Sequence, residues 1–366
     1  MPMTTLGWDI GGAHAKACRI DDGRVVDIVQ WPCPLWQGLP QLDGVLARAR
    51  ERWPGLWREP GLHQAATMTG EMVDLFPDRE AGVRQLAAHL ADALGPGLAL
   101  YAGLGRGAPA AGDGARWVLP HQAGANWEAV ASANWRATAE WAAAGHHGDA
   151  VLLDIGSTTT DVIPLRDGRP AACGATDAER LASGELVYTG VVRTPLCALT
   201  QRLVFRGVPT GVMNEWFATT ADVWRLLGRL DPAHDQQPTA DQAGKDPAAT
   251  RQRLARMIGR DAREGSHTDW LALAGQWAAA QRRTIGEALQ AVCRAAGVGD
   301  AAPVIAAGCG DFLALDLAAE AGRPARRFAD TLPARAGEGL ADWAQVAAPA
   351  VAVALLADAA RRGAGP

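Results

Sequence analysis

The residues most able to do chemistry in this chain are an acidic residue and a row of hydroxyls around one glycine, within residues 151–165, VLLDIGSTTTDVIPL. Asp154 ends an apolar run, and Gly156 follows it after one residue. The hydroxyl row then begins with Ser157, Thr158 and Thr159. A tight turn of this composition offers backbone N–H groups and hydroxyls to phosphate oxygens, and a neighbouring carboxylate can hold a divalent cation. The stretch therefore predicts a phosphate-binding β-hairpin in which Asp154 is a ligand of Mg²⁺.

A second copy of this arrangement, TLGWDIGGAHAKACRI, lies near the N-terminus. Asp9 corresponds to Asp154 and Gly11 to Gly156, and Gly12 extends the turn. A single Asp-Ile-Gly triplet would be explained by an aspartate that caps its own turn. Two triplets, each between β-like runs, indicate an internal duplication instead. We predict that Asp9 and Asp154 both hold Mg²⁺ and face each other across one interdomain cleft.

Two further features extend the predicted polyphosphate site. Lys16 lies in the strand after the first turn, where its ammonium can reach a phosphate. Residues 303–313, PVIAAGCGDFL, contain a glycine-rich turn between a strand-like run and a helical run. Its residues Gly308, Gly310 and Asp311 suit an anion or nucleoside site at a helix N-terminus. A plain strand-to-helix turn is the structural alternative for these three residues.

Two carboxylates are predicted to act on the substrate itself. Glu71 follows Thr69 and Gly70 at the end of a predicted strand, the place where α/β sheets present functional side chains. Asp161 lies just beyond the second hydroxyl-rich turn, where it can act as a base or bind an amine. The alternatives are structural: Glu71 as a first-turn residue of the following helix, and Asp161 as a surface residue near the turn.

Composition excludes several classes of function. With Lys+Arg 35 against Asp+Glu 40, the formal net charge is −5, which argues against the basic face that general nucleic-acid binding needs. The six cysteines are scattered without a CxxC pair, which argues against a zinc site or a disulfide framework. We expect no signal peptide and no membrane span. The expected protein is cytoplasmic, with small-molecule ligands and no nucleic-acid or membrane partner.

Strand and helix patterns place these residues in two similar halves of the chain. In each half a β-hairpin comes first and helices follow, which predicts the α/β class with a mixed sheet in each domain. We predict a first domain over residues 1–147 and a second over 148–339, with a helical insertion at about 209–297. A single terminal helix over 340–362 is expected to pack back on the first domain. Another single helix is predicted over 127–144.

These motifs resemble the actin, sugar kinase and Hsp70-type ATPase superfamily, in which two ribonuclease-H-like domains each contribute a phosphate hairpin to a shared cleft. Within it, the chain looks most similar to the hydantoinase and oxoprolinase relatives, and in particular to the family of methanofuran-biosynthesis and tetrahydromethanopterin-linked C1-transfer proteins. The stretches that carry the resemblance are GWDIGGAHAK, MTGEMVDLF, SANWRATA, LDIGSTTTDVIPL and EWFATTADVWRLLG. The resemblance covers nearly the whole chain and implies two actin-like domains with mixed sheets around an interdomain cleft.

The resemblance also implies an activity. Relatives in methanofuran biosynthesis join an aminomethylfuran diphosphate to a tyramine phenol, so the expected enzyme is a transferase that makes an aryl ether, releases diphosphate and requires Mg²⁺. The acceptor would be of tyramine or tyrosine type, and bound ATP or ADP is not required. Glu71 and Asp161 would steady the cationic furfuryl carbon and bind the aminomethyl group. The rival functions are an ATP-dependent hydantoinase-like or oxoprolinase-like amidohydrolase and a non-catalytic nucleotide-dependent switch, and a homo-oligomer is compatible with each.

Overall fold

A computed structural model describes residues 3–59, 61–95, 97–103, 116–333 and 339–363 of the chain. Their elements are those of the predicted α/β class, which is confirmed. The strands in these residues are β1 (Thr4–Ile10), β2 (His14–Asp21), β3 (Arg24–Pro32), β4 (Leu62–Met68), β5 (Ala99–Ala102), β6 (Arg116–Val118), β7 (Ala150–Ile155), β8 (Thr160–Arg166), β9 (Arg169–Pro170), β10 (Leu186–Val187), β11 (Arg202–Phe205), β12 (Val208–Gly211), β13 (Val304–Ala307) and β14 (Ala325–Arg327). The α-helices in these residues are α1 (Pro40–Arg52), α2 (Arg79–Leu94), α3 (Trp127–Val130), α4 (Asn134–Ala144), α5 (Asp177–Ser183), α6 (Thr220–Leu226), α7 (Pro247–Arg256), α8 (His267–Ala296), α9 (Asp311–Glu320), α10 (Ala341–Val346) and α11 (Ala348–Arg362).

The described residues fall into two compact units. The first unit comprises Met1–Ala150, Ile163–Arg180 and Arg327–Pro366, and the second comprises Val151–Val162 and Leu181–Arg326. Each unit has a hydrophobic core of its own. The domain boundaries predicted from the sequence stay predictions.

In its described residues, the first unit is built on a six-stranded mixed sheet in the order β3-β2-β1-β4-β5-β6. β1 is antiparallel to β2 and parallel to β4, and this register sets Asp9 opposite Lys16 on one side and Thr67 on the other. Every residue of β1 is buried. α11 packs against this strand, and the Thr5 hydroxyl donates a buried hydrogen bond of 3.2 Å to Asp358 of that helix. A buried central strand gives Asp9 a rigid backbone.

A second mixed sheet contains the other hairpin, which is formed by β7 and β8. Its strand order in the described residues is β10-β8-β7-β13-β14, with β9 paired to β8. β7 is parallel to β13, which places Asp154 opposite Ala307. The 30-residue helix α8 begins where the Ser266 side chain caps it, and it buries Trp270 and Trp277 completely in the core of the second unit. This packing gives the second hairpin a well-ordered support.

Two segments predicted as single helices are each broken in the structure. Residues 127–144 form α3 and α4, separated at Ser132, whose φ of 51° lies in the left-handed region. Residues 340–362 form α10 and α11, because Pro349 lacks a backbone N–H and suits the first turn of a new helix, which begins at Ala348. Both predictions of one continuous helix are therefore wrong. None of the described helices is long and apolar enough to cross a membrane.

Candidate functional site

The first hairpin joins β1 and β2 through a turn that is held from two sides. The Gly11 N–H donates a hydrogen bond to the His14 carbonyl at 3.0 Å and closes the turn. The Gly12 carbonyl accepts a hydrogen bond from the Leu35 N–H at 3.0 Å, so a segment outside the hairpin supports it. A turn fixed in this way keeps its backbone groups in one arrangement, as preorganised anion binding requires.

Asp9, near the end of β1, is a buried carboxylate with one oxygen paired. Its Oδ2 lies 3.2 Å from the ammonium of Lys16, which stands directly across the hairpin. Its Oδ1 is buried and has no hydrogen-bond partner among the described residues, and the same holds for the Thr67 hydroxyl on the neighbouring strand. An unpaired buried carboxylate oxygen costs free energy unless a cation or a water binds it. Asp9 therefore fits the predicted role of a cation ligand, and Lys16 lies beside it.

The second hairpin repeats the turn of the first. The Gly156 N–H donates to the Thr159 carbonyl at 2.9 Å, and this bond is equivalent to the one that closes the first turn. Asp154 is buried before this turn, as its counterpart is in the first unit. The hydroxyls of Ser157 and Thr158 lie 3.4 Å apart and are half-buried. The structure thus brings the predicted carboxylate and the predicted hydroxyls together at one turn.

The glycine-rich turn after β13 lies against the same hairpin. The Gly310 N–H donates to the Ile155 carbonyl at 2.8 Å. Gly308 has a φ of 85°, and a Cβ on it would lie 2.5 Å from Asp154 Oδ1. Only glycine fits a position with that conformation and that lack of space. Asp311 follows as the first residue of the ten-residue helix α9.

Arg193 is a residue of this site that the sequence pattern does not reveal. The backbone N–H groups of Val191, Val192 and Arg193 donate hydrogen bonds of 2.8–3.1 Å to carbonyls of the second turn. The Arg193 guanidinium also donates to the Thr158 hydroxyl, with Nη1 and Oγ1 3.4 Å apart. The two residues are 35 positions apart, and no local motif connects them.

Asp161 lies in β8, just beyond the second turn. It pairs with Leu186 of β10 and is half-buried. Counted from the turn glycine, it occupies the position that Lys16 occupies in the first hairpin. Its predicted contact with the substrate stays a prediction.

Glu71 is a buried carboxyl group in the first unit. It lies in a single 3-10 turn, Gly70–Met72, directly after β4, whereas the next α-helix begins only at Arg79. Glu71 is therefore a first-turn residue of this 3-10 helix and not of the α-helix at Arg79. Only 1% of its surface is exposed, and burial raises its pKa from 4.5 to about 7. The Glu71 carboxyl group thus exchanges its proton near neutral pH.

Ser132 connects Glu71 to a second carboxylate, Asp177. Its Oγ lies 2.9 Å from Glu71 Oε1 and 3.0 Å from Asp177 Oδ2. Ser132 has one hydroxyl proton, so it donates to Glu71 or to Asp177 at any one time. The guanidinium groups of Arg79 and Arg180 lie 3.4 and 3.9 Å from Asp177 and neutralise its charge. Ser132 thus bridges the carboxyl groups of Glu71 and Asp177.

The local sequence pattern places Ser132 on one continuous helix and gives Asp177 no partner. The hydrogen bonds of Ser132 join residues that are 61 and 45 positions apart. The serine itself is the feature of the sequence that indicates a helix break, because serine competes with the helix backbone for hydrogen bonds. That signal indicates the break but not the carboxylates that the hydroxyl meets.

Any metal ion bound by the described residues would be held by single carboxylates. Within the described ranges, no group of three or more His, Cys, Asp or Glu side chains is placed to hold a metal ion. Mg²⁺ that meets only one or two protein carboxylates keeps several waters and takes phosphate oxygens as further ligands. The buried, unpaired Oδ1 of Asp9 suits that mode of binding.

Comparison with known proteins identifies relatives of this chain. The family model for Hydantoinase/oxoprolinase matches residues 116–345. The chain is 30% identical over 261 residues to the (4-{4-[2-(gamma-L-glutamylamino)ethyl]phenoxymethyl}furan-2-yl)methanamine synthase of Methanocaldococcus jannaschii. The aligned region covers 71% of this chain and 73% of that protein. It is 42% identical over 109 residues to the synthase of the same name from Methanococcus vannielii. That aligned region covers 30% of this chain and 47% of that protein.

Among solved structures, acetone carboxylase in a nucleotide-free state is similar in fold. Its TM-score is 0.51, and the similarity covers 97% of this chain and 70% of that chain at 10% sequence identity. A likeness at that identity concerns the fold alone, and it agrees with the predicted actin-like ATPase fold. The family model and the two synthases confirm the resemblance on which the sequence prediction rests. The chain therefore belongs to the hydantoinase/oxoprolinase family, in which its relatives include the furanmethanamine synthases.

Proposed function

We propose that this chain is a transferase that joins an aminomethylfuran diphosphate to the phenol of a tyramine-type or tyrosine-type acceptor. The observation that carries the proposal is the 30% identity to a synthase whose named product contains a phenoxymethyl group on a furan ring. Such a product is an aryl ether, in which the phenol oxygen is bonded to the furfuryl carbon. Condensation of a phenol with a furfuryl diphosphate forms that bond directly.

The proposed reaction breaks one bond and forms another at the furfuryl carbon. The bond from this carbon to the diphosphate oxygen breaks, and its electron pair leaves with the diphosphate. The phenol oxygen forms the new bond to the same carbon and gives up its proton to a base. The protein must therefore neutralise charge on the leaving diphosphate, orient the phenol and accept one proton.

The hairpin turns supply the groups proposed to bind the diphosphate. In the second hairpin these are the hydroxyls at 157–159, and in the first hairpin the backbone at Gly12. Gly11 and Gly156, whose N–H groups close the two turns, are proposed to let the diphosphate approach the backbone closely. Asp9 and Asp154 are the residues proposed to hold Mg²⁺. When bound, Mg²⁺ neutralises the charge that grows on the leaving diphosphate.

Glu71 is the residue proposed to accept the phenol proton. A carboxyl group whose pKa lies near 7 is matched to the task of a general base at neutral pH. The hydrogen bonds of Ser132 to Glu71 and Asp177 support this role, because they orient the carboxyl group in a buried place. In its ionised form the same carboxylate would also steady positive charge on the furfuryl carbon. Asp161 is proposed to bind the aminomethyl group of the substrate.

The proposed reaction has no need of a nucleotide, because diphosphate is already an activated leaving group. The family match to hydantoinases and oxoprolinases favours a second candidate, the ATP-dependent hydrolysis of a cyclic amide. In that reaction the hairpins would bind ATP. The two candidates differ in their products, which are ether and diphosphate in the first and an opened amide, ADP and phosphate in the second.

Product analysis tests the proposal. The purified protein is incubated with Mg²⁺, an aminomethylfuran diphosphate and tyramine, tyrosine or γ-glutamyltyramine, with and without ATP. We expect ether and diphosphate in equal amounts without any nucleotide, measured by mass spectrometry and a coupled diphosphate assay. Asp154→Asn should keep its fold, measured by circular dichroism, and lose the Mg²⁺-dependent turnover. Formation of ADP in proportion to product, or conversion of a cyclic amide with ATP, would overturn the proposal and support the second candidate.

A further inference from the structure

A segment over residues 189–194 packs against the second hairpin with no space between the two backbones. A Cβ on Gly190 would lie 2.5 Å from Gly156 O, from Ser157 C and from Thr158 N. Real Cβ atoms do not approach other atoms so closely, so any larger residue would push the segment away from the turn. The contact is therefore built into the fold and sets the position of the residues that follow Gly190.

Buried polar side chains hold this segment from its other side. Gln281 of α8 has no exposed surface, and its Nε2 donates to Thr189 Oγ1 at 2.9 Å and to the Gly190 carbonyl at 2.8 Å. Its Oε1 accepts a hydrogen bond from Trp224 Nε1 at 2.8 Å. The Thr220 hydroxyl donates to the same Gly190 carbonyl at 2.8 Å. A buried polar network with its partners in place fixes one backbone arrangement, because disturbing it leaves polar groups unpaired.

This fixed segment places Arg193 at the hydroxyls of the turn. The Arg193 N–H donates to the Ser157 carbonyl at 2.8 Å, and its guanidinium Nη1 donates to Thr158 Oγ1 at 3.4 Å. The side chain is half-buried, and burial lowers its pKa below the ordinary value of a guanidinium. Burial thus disfavours the positive charge at this place, and a bound anion would offset that cost.

We propose that Arg193 binds the diphosphate group of the ligand at the second hairpin, beside the hydroxyls of Ser157 and Thr158, and that Gln281 is a positioning residue for it. The choice of diphosphate rests on the proposed function, whereas the placement of the guanidinium does not. A guanidinium presents several N–H groups in one plane and can donate to two phosphate oxygens at once. It supplies the positive charge that the hydroxyls and the backbone N–H groups of the turn lack.

Titration calorimetry with inorganic diphosphate and Mg²⁺ tests this proposal on the full chain. Arg193→Gln should raise the Kd for diphosphate by about tenfold or more, because it removes a charge-assisted hydrogen bond, and Arg193→Lys should raise it less. Arg283→Gln is the matched control, since Arg283 is exposed on α8 and its loss changes the net charge equally. The control should bind diphosphate as the wild type does. The same titrations with ADP show whether a nucleotide uses the same guanidinium.

A second measurement needs no variant at this position. In the wild type, Mg²⁺ and diphosphate should protect Arg193, and not Arg283, from modification by phenylglyoxal, measured by peptide mass spectrometry. Unchanged diphosphate affinity in Arg193→Gln, or modification of Arg193 at the same rate with and without diphosphate, overturns the proposal. The proposed function is tested separately. If Arg193→Gln weakens diphosphate binding but the product assay releases only ADP, the role of Arg193 stands and the ether-forming reaction is refuted.

Discussion

Replacing Glu71 with glutamine tests the raised pKa of this buried carboxyl group through stability alone, without any substrate. Folding moves the pKa from 4.5 to about 7, chiefly because burial disfavours the ionised form. The Ser132 hydrogen bond and the charge of Arg79 act in the opposite direction and are weaker than burial. One pKa unit corresponds to about 1.4 kcal/mol, so ionised Glu71 destabilises the folded protein by roughly 3 kcal/mol.

The sign of the effect follows from proton binding. Between pH 4.5 and about 7, the folded protein keeps a proton on Glu71 that the unfolded chain has lost. The free energy of unfolding therefore falls as the pH rises through this window, and the Glu71 contribution is constant on either side of it. Glutamine has nearly the same shape and never ionises, so Glu71→Gln removes the fall. Relative to the wild type, the variant should gain roughly 3 kcal/mol between pH 4.5 and pH 8.

Urea unfolding of both proteins across this pH range measures the effect. Groups that titrate equally in both proteins cancel when the two free energies of unfolding are subtracted. Glu51→Gln is the control, since Glu51 is exposed on α1, and its difference from the wild type should not change with pH in this way. The two units can unfold in separate transitions, so the subtraction uses the transition of the first unit. Parallel curves for wild type and Glu71→Gln would refute the reasoning, and the proton-accepting role with it.

Three further changes have defined outcomes. Ser132→Ala removes a hydrogen bond that lowers the pKa of Glu71, so the acidic limb of the pH–kcat profile should move to higher pH. An acidic limb at the same pH as in the wild type would argue against Glu71 as the base. Asp9→Asn should raise the Mg²⁺ concentration for half-maximal turnover by about tenfold or more, measured by Mg²⁺ titration, and an unchanged requirement would remove Asp9 from the site. Gln281→Leu removes the hydrogen-bond acceptor of the buried Trp224 indole and should lower the free energy of unfolding, measured by urea unfolding, by about 1–3 kcal/mol. An unchanged free energy of unfolding would contradict the positioning role of Gln281.

The hairpins could be predicted from the sequence because each turn and its carboxylate, such as Asp9, lie within a few residues of each other. The place of Glu71 at a strand end likewise follows from a short apolar run and a glycine. Ser132 and Arg193 could not be predicted in their roles, because their hydrogen bonds join residues 61 and 35 positions apart. Hydrophobic periodicity describes one element at a time and does not say which elements meet. The break before Pro349 was predictable, since proline begins a helix more readily than it continues one.

The hydrogen bond between Thr5 and Asp358 has a consequence for synthesis on the ribosome. The two residues are 353 positions apart. At typical rates of translation, α11 is therefore made roughly 20–70 seconds after β1. During that interval the central strand of the first unit lacks the helix that packs on it, and every residue of the second unit, up to Arg326, is added before that helix is made. The nascent chain thus presents apolar strand surface to chaperones, and a chain that terminates before Ala348 would keep that surface open to proteases.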